Sequence, residues 1–348
     1  MRFSVTATTA VVACSVVAAA YVGVLYTLPH AIRRLPRDHP THILARFLLI
    51  CIFCAICPFV LAVFYDHDDA SISFAQWLGI RREGLVQAIF MPLLMTSALF
   101  LGSLLANALR LLHVSRQFHS NGFWFAIKNS ALYYSITHER LPSLRTYVMG
   151  PLTEEFVFRS CMVPLLVCAD FTVKQIVLGG PLIFGAAHLH HMMEYIRHGK
   201  TLKDAALIVG FQLMYTSLFG AYATFIFLRT GWIFFHARYC FPFLRLEKSC
   251  IESSSNIPNL CDVGHFASIF LVHIFCNVMG FPDLSFFNPK SSLHSYRLVL
   301  LGAYFFGIYV FSILLLPLTE PAIYSSDMWN MTASVKEQKL KFTYTETL

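Results

Sequence analysis

What most constrains this chain is the recurrence of apolar stretches near the ~20 residues a helix needs to cross ~30 Å of hydrocarbon. They run over 5–28, 43–65, 85–105, 146–168, 173–195, 205–228, 266–281 and 296–318. Inside lipid no water can satisfy a backbone N–H or C=O, so each stretch is committed to helix. Composition agrees: of 348 residues, 57% are hydrophobic and 13% charged, about half the charge of a soluble chain. Mean hydropathy is +0.61. The fold class that follows is all-α: a polytopic membrane protein of about eight transmembrane helices.

The formal net charge of +7 would suit a nucleic-acid partner, but Lys and Arg are scattered through short connecting loops and form no stripe. They read as topology determinants, and no nucleic-acid partner is expected. Arg33, Arg34 and Arg37 follow the first stretch, whereas Asp66, Asp68 and Asp69 follow the second. By the positive-inside rule the first loop is cytosolic. The basic connections 110–145 and 197–203 then fall on the same side, and both termini face the lumen. The stretch 5–28 is long for a signal-peptide core and reads as a retained first span, with a cleaved signal as the alternative. Residues 123–136 mix aromatics with Lys128 and Asn129 and suit an interfacial or re-entrant helix. Mixed polarity over 232–263 marks a lumenal insertion. A single transmembrane domain over 1–325, followed by a polar tail at 326–348, is the simplest organisation. The ten cysteines lie mostly within the spans, and Cys51, Cys54 and Cys57 read as core packing in an apolar helix.

Against this background, adjacent carboxylates at Glu154 and Glu155 stand out, because an ionised acid at mid-bilayer costs at least ~2.5–3.5 kcal/mol on insertion scales. Arg159, four residues after Glu155, shares its helical face and can neutralise it. Glu154 points ~100° away and is left without a partner. His188 lies in the fifth stretch, and His273 with Asn277 share one face of the seventh. At ~1.5 Å per residue, Glu154, His188 and His273 sit ~12, ~10 and ~12 Å inside the cytosolic ends of their helices. A carboxylate and a histidine at one depth can activate water, and a second histidine with an amide can stabilise an oxyanion. The set suggests amide hydrolysis in an active site enclosed by the helices.

Each element also has a structural reading: an intramembrane histidine is commonly a bonded core residue, and an acid–Arg pair is commonly a tie between turns. A zinc-dependent membrane protease is the competing chemistry, since one Glu and two His could hold the metal. No His-Glu-x-x-His occurs, however. His138-Glu139 runs into Leu141-Pro142, and His190, His191 and Glu194 lie near a cytosolic helix end. The expectation is therefore neither metal nor cofactor. A non-enzymatic scaffold or transporter is the other alternative, but no internal repeat is present.

Glu154-Glu155-Phe156-Val157-Phe158-Arg159, Phe184-Gly185-Ala186-Ala187-His188 and His273-Ile274-Phe275-Cys276-Asn277 resemble, in order, the three motifs of the type II CAAX prenyl endopeptidases, the Ras-converting enzymes. Met279 to Pro282, Phe219 to Tyr222 and Arg229 to Gly231 are similar to the eukaryotic branch. The resemblance covers about 145–282 and departs from the family in the length of 232–263. It implies a multi-pass endopeptidase of the endoplasmic reticulum membrane, opening to the cytosol, that removes a-a-X from farnesylated or geranylgeranylated CAAX proteins such as Ras-like small GTPases. It further implies Glu154 and His188 on the water, His273 and Asn277 on the oxyanion, and Glu155 and Arg159 in support.

Overall fold

The computed structural model describes residues 5–64, 73–117, 122–186, 189–197, 199–231 and 264–324. Every regular element among them is helical. The principal helices are α1 (Ala7–Gly23), α2 (Pro40–Ile56), α3 (Leu85–Leu99), α4 (Leu101–Gln117), a composite rod α5 over 140–168, α6 (Val173–Ala186), α7 (Leu202–Arg229), α8 (Phe266–Met279) and α9 (Arg297–Leu314).

Four segments are long and apolar enough to cross a bilayer by themselves: Ala7–Tyr26, Pro40–Val60, Leu202–Arg229 and His294–Leu314. Two further expected spans appear as the 14-residue helices α6 and α8, each ~21 Å long. The third expected span differs in shape. α3 and α4 form a pair bent by 77° at Phe100. α9 docks in this corner, where an added Cβ on Gly307 would lie 2.3 Å from the Ala98 carbonyl oxygen. Only a glycine lets the two backbones approach so closely.

The rod α5 is the axis of the molecule. All residues from Val157 to Leu166 are buried, so no side of this part meets lipid, and helices α1, α6, α7 and α8 pack around it. The outer helices turn apolar side chains outward instead: Leu44, Leu48 and Ile52 from α2, and Leu298, Phe305 and Phe306 from α9, are exposed. That is the arrangement expected where the solvent is hydrocarbon. Between α4 and α5, the short helices Gly122–Lys128 and Ala131–His138 expose Phe123, Trp124, Tyr134 and Ile136, which suits a position at the membrane surface.

The 232–263 insertion and the 326–348 tail lie outside the described residues. The flanks of the insertion do meet: the His265 N–H donates to Thr230 Oγ1 at 3.1 Å. The excursion is closed at its base, and α7 and α8 pack against each other as if it were absent.

Candidate active site

The geometry of the site begins with a defect in α5. The rod is α-helical at Arg140–Leu144, Gly150–Glu155 and Met162–Cys168, and π-helical at Arg145–Met149 and Phe156–Cys161. In the first π turn the Gly150 N–H bonds to the Arg145 carbonyl. The next carbonyl, Thr146, would take its bond from residue 151, but that residue is proline and has no N–H. An orphaned carbonyl inside a membrane must find another donor. Asn277 supplies it, with Nδ2 donating to Thr146 O at 2.9 Å. The asparagine of α8 is therefore fixed to the helix that carries the two carboxylates.

One turn earlier on α8, His273 is buried beside them. Its Nδ1 lies 2.7 Å from Glu155 Oε1, and the same oxygen accepts from Arg159 Nη1 at 3.0 Å. Glu155 and Arg159 are 0% and 1% exposed, so this is the expected i,i+4 pair, removed from solvent. A carboxylate bonded to Arg159 acts as acceptor, so the Nδ1 of His273 carries the donated proton. That bond sets the ring orientation and aims Nε2 at Glu154, whose Oε2 is 3.9 Å away. Glu154 itself is 26% exposed and forms part of the wall of a cavity of about 160 Å³.

Aromatic rings hold the charged groups in place. The Phe184 ring lies under the Arg159 guanidinium, 4.7 Å from ring centroid to Cζ, and packs edge-on against Phe158. Phe219 sits against His273 with centroids 4.5 Å apart. Gly220 leaves room for this packing: a Cβ there would come within 3.0 Å of both Arg159 Nη2 and Pro181 Cβ. On the cavity side the Thr153 hydroxyl donates to the Met149 carbonyl at 2.8 Å and accepts from the Tyr21 hydroxyl at 3.0 Å.

Of the residues singled out from sequence, Glu154, Glu155, Arg159, His273 and Asn277 converge on α5 and α8. His188 lies outside the described residues, as do the side chains of His190, His191 and Glu194. Sequence reasoning set His273 apart from the water-activating carboxylate, whereas the structure places it beside Glu154. The supporting contacts of Phe184, Phe219 and Thr146 were not anticipated either. Pro151 within an apolar span was the available signal for the last of these. Among the described residues, no group of three or more His, Cys, Asp or Glu side chains is placed to hold a metal ion.

Comparison with known proteins decides the family. The family described as Type II CAAX prenyl endopeptidase Rce1-like matches residues 136–239. CAAX prenyl protease 2 of Arabidopsis thaliana is 33% identical over 335 residues, covering 92% of this chain and 93% of that relative. This chain belongs to the CAAX prenyl protease 2 family. CAAX prenyl protease 2 of Homo sapiens is 32% identical over 329 residues, covering 91% of this chain and 83% of that protein, and the Schizosaccharomyces pombe relative is 27% identical over 296 residues, 83% and 88% of the respective chains. No solved structure matches. Membership makes the chain a membrane-embedded peptide-bond hydrolase.

Proposed function

We propose that this protein removes the C-terminal a-a-X tripeptide from prenylated CAAX proteins, Ras-like small GTPases among them, with Glu154 as the general base. The observation that carries this reading is the separation of 3.9 Å between Glu154 Oε2 and His273 Nε2. It is too long for a direct hydrogen bond, but one oxygen making a bond of about 2.8 Å to each atom would span it. Water held there gives its proton to Glu154, and its oxygen attacks the carbonyl carbon of the prenylated cysteine. The carbonyl oxygen becomes the oxyanion of the tetrahedral intermediate. Asn277, with one amide N–H bonded to Thr146, keeps its second N–H for that charge. As the C–N bond breaks, the proton on Glu154 passes to the leaving amine. The products are a prenyl-cysteine carboxylate and a free tripeptide.

His188 is assigned to the same water by its motif, and Glu155 with Arg159 act through His273 by fixing its ring. A site inside the bilayer suits a substrate whose prenyl chain enters laterally between helices. The resemblance of the motifs supports residence in the endoplasmic reticulum membrane, and the basic loops support a site open to the cytosol.

The experiment is cleavage of a farnesylated CAAX peptide by purified protein, with and without a strong chelator. Wild type should cut between the cysteine and the first aliphatic residue regardless of chelator. Glu154→Gln should fall by ~10²–10⁴-fold. Activity in that variant above about one hundredth of wild type would refute the assignment, and loss of wild-type activity to the chelator would restore the zinc reading.

A further inference from the structure

Beyond Glu154, the wall of the cavity is largely apolar and comes from four helices: Val22 of α1, Phe47 and Ile50 of α2, Phe158 of α5 and Phe184 of α6. Much of it is rigid. The Tyr21 ring, also in the wall, stands edge-on to Phe53 and Phe158 with centroids 5.9 and 5.5 Å apart, and its hydroxyl is tied to Thr153. Phe158 and Phe184 pack on each other at 4.8 Å. Phe47 and Ile50, three residues apart on one face of α2, belong to none of the three sequence motifs.

Volume selects the occupant. About 160 Å³ is close to the ~150 Å³ of an apolar protein cavity that accepts benzene. Such a space takes a Val, Leu or Ile side chain, or a single six-membered ring, but not a farnesyl chain of about fifteen carbons. Nor is the prenyl chain drawn into it, because lipid is as apolar as the cavity wall. The tripeptide arrives from water instead, and its aliphatic side chains gain by burial. Position agrees with volume: Glu154 returns its proton to the leaving amine, so that nitrogen comes within ~3 Å of the carboxylate. The first two residues of the tripeptide then begin within ~8 Å of it.

We propose that this cavity holds an aliphatic side chain of the leaving a-a-X tripeptide, that Phe47 and Ile50 set the largest side chain it accepts, and that the prenyl chain lies outside it in lipid. The inference rests on the peptidase reading above and deepens it by naming residues that select the tripeptide.

The test uses full-length protein in lipid and farnesylated peptides in which the first or the second residue after the cysteine is in turn Val, Leu, Phe or Trp. At one of these positions wild type should cut the Trp peptide with kcat/KM about tenfold or more below the Leu peptide, the scale set by overfilling a packed apolar site. In Phe47→Ala and Ile50→Ala, each checked by thermal melting, that gap should narrow by about fivefold, because the truncated side chain leaves room. A relative gain on the bulky peptide cannot come from misfolding, which lowers both alike. The ratio of farnesylated to geranylgeranylated substrate should stay as in wild type. Equal cleavage of Leu and Trp peptides by wild type at both positions would overturn the inference while leaving the peptidase reading intact. A changed farnesyl-to-geranylgeranyl ratio in the α2 variants with the tripeptide profile unaltered would overturn it too, placing the prenyl chain in the cavity. An equal loss on every peptide would assign Phe47 and Ile50 to folding and likewise overturn it. If wild type cuts none of the peptides, the peptidase reading falls and this inference falls with it.

Discussion

Replacing Glu155 by Gln separates the two adjacent carboxylates more sharply than any other change. The substitution keeps size and one acceptor but removes the charge that Arg159 and His273 share on a single oxygen, at 3.0 and 2.7 Å. Because both members of the Glu155–Arg159 pair are essentially fully buried, the guanidinium is left without a counter-ion, which typically costs ~3–5 kcal/mol. The bond that fixes the His273 proton on Nδ1 is also weakened, because its acceptor becomes a neutral amide oxygen. Outer-shell losses of that kind typically lower activity ~10–100-fold. Glu154→Gln should show the opposite balance. Glu154 is partly exposed and has no buried cation to abandon, so melting should hardly change while turnover falls by ~10²–10⁴-fold. The assay is thermal unfolding in detergent alongside kcat and KM on a farnesylated peptide. If Glu155→Gln melts as wild type does, or if Glu154→Gln is the less stable of the two, the assignment of one carboxylate to structure and the other to chemistry is wrong.

Asn277→Ala should lower turnover by ~10²–10³-fold through loss of an oxyanion donor and cost a further ~1–3 kcal/mol because the Thr146 carbonyl is orphaned again; loss of substrate binding with turnover preserved would contradict the first role. His265, just outside α8, is buried beside Arg81, and burial first, then that positive charge, lowers its pKa from 6.5 to about 4. The unfolded chain takes up this proton before the folded one does. Stability from the neutral ring is therefore complete above pH 6.5 and declines by about 3 kcal/mol as pH falls to about 4. Melting curves from pH 7 to 4.5 should show the decline, and His265→Gln should flatten it. Topology is checked by glycosylation at Asn330 in the sequon Asn330-Met331-Thr332 and by thiol labelling of sealed microsomes. Cys240, Cys250 and Cys261 should react with an impermeant reagent only after permeabilisation and reduction, and labelling from the cytosolic face would reverse the side of the insertion.

Local periodicity carried much of this protein into its sequence. Apolar stretches of membrane length dictate helices because hydrocarbon offers the backbone no alternative partner. The Glu155–Arg159 pair follows from four-residue spacing on one helix, and the isolation of Glu154 from the ~100° turn between neighbours. The motifs at Glu154, His188 and His273 were likewise sufficient to point to the family. Contacts between helices were not legible in the same way, because how far each rod rotates and where it breaks depend on packing that no single segment encodes. Which carboxylate meets His273, 118 residues along the chain, was decided by the docking of α8 on α5. The 77° corner at Phe100 was decided by α9 settling against it. The convergence of Val22, Phe47, Ile50, Phe158 and Phe184 on one cavity needed four separate helices brought together. In sequence Phe47 and Ile50 are indistinguishable from the lipid-facing residues of the same apolar stretch, since hydropathy is written locally but its neighbours are set only by the fold.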